Sequence, residues 1–176
     1  MKALYLLILC MVFGYGCQNK TTPALAPVSY TVPDSAAIKK AVDDAYAAIS
    51  FKKGEQPRTD QIANFFTPQA QLINYRTDSA ATLGITQFVD AYKQFIIKSK
   101  ITYFQEDELF GRTEQFGRIA HRISTYRTFL NNPDTAAERG VNSFQLIKTN
   151  TGWKVSSIIW DVEKPSLKIP DYYLKK

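Results

Sequence analysis

The sequence predicts an α+β fold in which helices pack on one face of a curved antiparallel sheet. Three observations predict it. Apolar residues recur at helical spacing through the first half of the chain. After Lys100 the text changes to four long runs rich in Ile, Val, Tyr, Phe, Thr and Trp, at 101–110, 117–130, 139–149 and 152–162. The separators between these runs carry turn residues: Gly111 to Gly117, Asn131-Asn132-Pro133-Asp134 and Asn150-Thr151-Gly152.

The first folded element is a helix over 34–50, opened by Asp34 or Ser35 after Pro33, with Ile38, Val42, Ala45 and Ile49 on one face. Residues 59–66 read as a short second helix capped by Thr59 and stopped before Pro68. Residues 69–75 alternate loosely, as a strand does. Thr86 then caps a third helix over 87–98, with Phe88, Tyr92, Phe95 and Ile96 on one side. The four long runs supply the rest of the sheet, and the short Asn150-Thr151-Gly152 separator suits a hairpin.

Ahead of this domain lies a processing signal. Met1 and Lys2 precede an apolar run over 3–13, followed by Gly14-Tyr15-Gly16-Cys17 and a polar stretch, which is the secretory pattern. The run is too short for a bilayer span, which takes about 20 residues. The segment resembles the lipobox of bacterial lipoproteins, with Gly14 where Leu is usual. The resemblance implies cleavage before Cys17, thioether diacylation and N-acylation of that cysteine, and a cell-envelope location on a bacterial membrane, the outer membrane being expected. Residues 1–16 are then the signal peptide. Residues 17–33, with Pro23, Pro27 and Pro33, form a tether reaching about 20 Å as a coil and about 50 Å if extended. The folded domain spans 34–163, and 164–176 is a C-terminal tail whose Tyr172 and Tyr173 could dock on the sheet.

Composition removes several classes of function. With 176 residues, one domain plus extensions is the natural size. Two Cys and one His exclude a disulfide scaffold and a Cys/His zinc cluster. With Cys10 lost and Cys17 acylated, no thiol remains for catalysis. The charge of +6 is spread without a dense basic stripe, so nucleic acid is not expected as a partner. No carboxylate or histidine set has metal spacing, and neither a phosphate loop nor a Gly-x-Ser-x-Gly elbow occurs, so no cofactor is expected.

The order of helix, short helix, strand, helix and long strands resembles the nuclear transport factor 2-like superfamily, with its SnoaL-like and ketosteroid-isomerase-like members. The runs FGRIAHRISTYRTF (116–129), ERGVNSFQLIK (138–148) and GWKVSSIIWD (152–161) resemble the last three strands of SnoaL-like proteins. The likeness covers about 34–163. It implies a cone-shaped barrel, three N-terminal helices packed on the curved sheet, a cavity between them, and pairing of two copies through the outer sheet face. It does not imply one activity, because the superfamily holds isomerases, dehydratases, cyclases, hydrolases and plain binding proteins.

His121 is the leading chemical candidate. It shares strand parity with Ile119 and Ile123, which places it inside if those isoleucines are core. A hairpin of the first two long runs centred near residue 114 sets Asp107 across from His121 and Glu106 across from Arg122. A slip of one residue puts Glu106 or Glu108 beside His121 instead. Tyr46, Tyr92, Tyr126, Asn142, Gln145 and Trp160 are candidate cavity-lining groups, since pockets combine aromatics with a few amides. Trp153 and Trp160 stand at odd spacing, so a regular strand sends them to opposite faces. Two main functions follow. One is a membrane-tethered module whose cavity binds a small, largely apolar molecule without catalysis. The other is a cofactor-independent acid/base enzyme of the isomerase, dehydratase or cyclase type, using His121 and a nearby carboxylate. An assembly module acting through the outer sheet face is a third.

Overall fold

The computed structural model describes residues 31–175. The signal segment 1–16, Cys17 and nearly all of the tether lie outside the described residues. The elements run α1 (Ser35–Ile49), a 3-10 turn (Ile62–Phe65), β1 (Phe66–Asn74), β2 (Ala81–Gly84), α2 (Ile85–Lys98), β3 (Phe104–Phe116), β4 (Ile119–Leu130), β5 (Glu138–Thr149), β6 (Gly152–Val162) and a final 3-10 turn (Asp171–Tyr173). Six strands form one sheet in the order β2-β1-β6-β5-β4-β3. All neighbours are antiparallel except β1 and β6, which run parallel. The α+β class holds, and the sheet curves without closing, because β2 and β3 remain its edges.

Two α-helices cover the inner face where three helices were predicted; the expected second one is a single 3-10 turn. In α1 the predicted stripe is buried at Ile38, Val42 and Ala45 and partly buried at Ile49; with Tyr46 it joins Phe144, Leu146, Val155 and Ile158 of the sheet in one core. Asp34 starts α1 without a side-chain cap. Its carboxylate instead accepts from Lys148 (2.7 Å), Gln115 (3.2 Å) and Trp153 (3.3 Å), bolting the helix start to β3, β5 and β6. The Lys148 hydrogen bond is the main reason that its pKa lies below the usual carboxylate value, against the opposing pull of desolvation. Capping of α2 falls two residues before Thr86: Gln87 Oε1 accepts the Gly84 N–H at 3.0 Å.

Two features of the sheet decide where side chains point. The β3–β4 turn is Gly117-Arg118, flanked by the pair Phe116 and Ile119, with Gly117 at φ +55° as a tight hairpin loop requires. The centre near residue 114 was therefore misplaced, and β3 runs straight through Gly111. Bulges then add Leu109 to β3 and Ser156 to β6. The second bulge resets parity in β6, so Trp153 and Trp160 both face inward, against the expectation of opposite faces.

The tail does dock. The Thr125 hydroxyl donates to the Tyr173 carbonyl at 2.6 Å, and the Arg112 guanidinium sits 4.1 Å from the Tyr172 ring centre, so the last residues strap the outer face of β3 and β4. No helix among the described residues is long and apolar enough to cross a membrane.

Candidate functional site

A cleft of about 460 Å³ opens between the C-terminal half of α1, the 51–58 loop and the first half of β3. Tyr46 and Ser50 form one wall, and Phe104, Glu106 and Glu108 the other. Glu106 faces inward because it lies between buried Phe104 and the cleft on an alternating strand, opposite buried Thr128. The Thr128 hydroxyl donates to Glu106 Oε2 at 2.8 Å, and the Glu106 N–H donates to Ser50 Oγ at 3.1 Å. Burial pushes the Glu106 carboxyl up to about 7; the Thr128 hydrogen bond opposes this, while the charge on Glu138 adds to it. A carboxyl of that pKa exchanges its proton at neutral pH, which is what general acid/base work and proton-coupled binding both need.

The surrounding inner face is polar and fully partnered. Tyr46 Oη shares a hydrogen with Ser124 Oγ at 2.7 Å and accepts from Asn142 Nδ2 at 2.9 Å. Burial, and then the nearby Glu106 charge, hold the Tyr46 phenol far above its ordinary pKa, so it stays protonated. Arg122 crosses the sheet to grip Glu108, with Nε donating to Oε2 at 2.9 Å, Nη2 to Oε1, and Nη1 to Thr113 Oγ1. Gly111 makes room for this: a Cβ there would collide with the Arg122 guanidinium. Further along, Glu138 accepts from Tyr126 Oη at 2.9 Å and from both ends of the Arg76 fork, one at 2.8 Å.

The predicted dyad does not form. His121 lies on the outer face, opposite Glu114 and Gln145, with Nε2 3.1 Å from Ser143 Oγ. It borders only a hollow of about 100 Å³ beneath Tyr172 and Tyr173. The parity argument failed because Ile119 is 59% exposed while Arg122 is buried, the reverse of the usual arrangement. Asp107 pairs with Arg127 (3.1 Å) rather than His121, and Glu106 pairs with Thr128 rather than Arg122. Gln145 is exposed on the outer face. Of the other predicted lining groups, Tyr46 borders the cleft. Tyr92, Tyr126, Asn142 and Trp160 face inward but are spent on packing and internal hydrogen bonds. Sequence reading missed Thr128, Glu138 and Arg76, and set Arg122 opposite Glu106 where the structure pairs it with Glu108. The available signal was Gly117-Arg118 between Phe116 and Ile119, a two-residue turn that sets the register correctly. Among the described residues no group of three or more His, Cys, Asp and Glu is placed to hold a metal ion.

This architecture is the nuclear transport factor 2-like fold. The chain is similar to a protein of that fold from Shewanella baltica of unknown function (18% identity, TM-score 0.53, covering 77% of this chain and 98% of the other). It is also similar to a candidate scytalone dehydratase from Novosphingobium aromaticivorans (12%, TM-score 0.59, 74% and 85%). A candidate ketosteroid isomerase from Parabacteroides distasonis matches likewise (13%, TM-score 0.53, 80% and 94%). The sequence itself matches no family model and no curated protein.

Proposed function

We propose that this chain is an exported lipoprotein, held to a bacterial membrane through Cys17, whose α1–β3 cleft binds a small molecule that shares a proton with Glu106. The observation carrying the binding site is the placement of a half-buried carboxyl of near-neutral pKa on the wall of a 460 Å³ cleft. The cleft wall carries more charge than the apolar pocket expected from sequence, so the molecule has a hydrogen-bonding or protonated end as well as an apolar part lying on Phe51 and Phe104. Native mass spectrometry of the detergent-extracted protein tests this. A co-purifying small molecule that is retained at pH 7 and lost in Glu106→Gln is the expected result. Retention unaffected by that substitution overturns the site.

Two attributes accompany this reading. Cys17→Ser should move the protein out of the membrane fraction, and continued pelleting would refute the anchor. A second copy pairs through the outer face, supported by the exposed row Phe116, Ile119 and Ile147 across three adjacent strands. Analytical ultracentrifugation showing only monomer at tens of micromolar would end that.

The same carboxyl favours a second reading, cofactor-independent proton transfer. Isomerisation and dehydration need a placed acid/base and little else, and two structural neighbours bear names of those classes. Turnover of any found ligand with a rate following one ionisation near pH 7, abolished in Glu106→Gln, supports it. A ligand released unchanged refutes it.

A further inference from the structure

We propose that Arg76 and Glu138 are positioning residues that set the charge state of Glu106 from across the sheet. This rests on the reading of Glu106 as the proton-exchanging group. The cross-strand register places Glu106, Thr128 and Glu138 in one row on the inner face of β3, β4 and β5. Backbones two strands apart lie about 10 Å from each other. Thr128 has a single hydroxyl hydrogen and gives it to Glu106 at 2.8 Å, so the row is polarised toward that carboxyl. Glu138 at the far end accepts from the Arg76 fork and from the buried Tyr126 hydroxyl. Arg76 comes from the segment between β1 and β2 and is half exposed, so the pair contributes little to holding the fold. The field of each member taken alone on a carboxyl in the less polar interior is the larger effect, the two being opposite in sign.

On the strands and helix around Glu106 the other charges are tied up locally. On β3 and β4, Asp107 is matched by Arg127 and Glu108 by Arg122. On α1, Asp43 is matched by Lys39, and Tyr46 stays neutral. Tyr92 of α2 is likewise held protonated by burial. Lys52, Glu55 and Arg58 stand along the loop on the opposite wall of the cleft. Among the described residues, Arg76 and Glu138 thus form the one pair set in line with Glu106 through its own hydrogen-bond donor.

The two members act on Glu106 with opposite sign, and that is testable without any ligand. The midpoint of the Glu106 carboxyl is followed by carbon-13 NMR on the full chain, with Glu106→Gln identifying its signal. Glu138→Gln removes a negative charge and should lower the midpoint by roughly half a pH unit. Arg76→Gln should raise it by a similar amount. The double variant should return close to the unsubstituted protein. A structural role would move both single variants the same way or neither, and either outcome overturns the proposal. If the unsubstituted protein itself titrates as an ordinary carboxylate, the proton-exchange reading falls, while the opposed shifts still decide the roles of Arg76 and Glu138.

Discussion

Arg122 and Arg127 stand five residues apart on β4, and each pairs with a carboxylate of β3. Their surroundings differ completely. Arg122 and Glu108 lie on the inner face with side chains 8% and 7% exposed; Arg127 and Asp107 lie toward solvent at 42% and 33%. The first pair has left water and is compensated by a fork geometry, a third hydrogen bond to Thr113 and the space over Gly111. The second keeps its hydration and rests against Phe129. The same two residue types therefore serve as an internal brace of the cleft on one face and as an ordinary surface contact on the other.

The sharpest way to test that contrast is to break both pairs. Arg122→Ala leaves Glu108 buried without a partner and should cost about 3–5 kcal/mol in urea unfolding. Arg127→Ala should cost less than about 1 kcal/mol. Similar losses from the two would mean that the inner pair is open to water.

The next effect is a pH dependence confined to the inner face. A glutamate carboxyl has a pKa of 4.5 when free, and burial brings that of Glu106 to about 7 in the fold. Between these values the folded chain holds a proton that the unfolded chain has released. Stability contributed by this group is complete below about pH 4.5 and is lost as pH rises through about 7, a change of up to roughly 3 kcal/mol. Glu106→Gln should flatten that decline and leave the protein more stable than the parent at pH 8. An unchanged slope would show that Glu106 ionises freely in the fold.

Gly111→Ala probes the brace more gently. The backbone there has no left-handed strain, so the whole cost is the collision with Arg122 and Glu108 Oε1, 2.6 Å from the added carbon. A loss of about 1–3 kcal/mol is expected. In an Arg122→Met background the same change should cost less, since of the atoms it strikes only Glu108 Oε1 remains. Equal costs in both backgrounds would place the effect in the backbone.

The same contrast explains what the sequence could disclose. The helical stripe Ile38, Val42 and Ala45 was legible because an apolar helix face meets an apolar core there. The lengths of the late strands were legible from composition and turns. Which face each strand turns inward was not. On β3 and β4 the inner positions include Glu106, Glu108, Arg122, Ser124 and Thr128 beside Phe104, Ala120 and Tyr126, while Ile119 and Phe116 point out, so hydrophobicity misreports the core side. Gly111 looked like a turn residue although its role is to leave room for a guanidinium. Bulges at Leu109 and Ser156 then shift parity by one where nothing in the local text announces it. The candidate carboxylate Glu106 was visible; its partners across two strands depended on a register that only the correct turn supplies.

The smallest expected effect belongs to His121, the residue that sequence alone favoured most. Its ring sits on the outer face with one hydrogen-bond contact, to Ser143, between the exposed Gln145 and the strap carrying Tyr172. Losing one such neutral contact at a half-exposed site costs about 0.5–1 kcal/mol. His121→Ala should therefore lower stability by no more than that and leave occupancy of the cleft unchanged, whereas Glu106→Gln empties it. The two variants differ in face, not in distance along the chain, which makes them a direct comparison of the sheet's two sides. A ligand retained by Glu106→Gln but lost from His121→Ala would reverse the assignment and move the binding site to the outer face beneath the C-terminal strap.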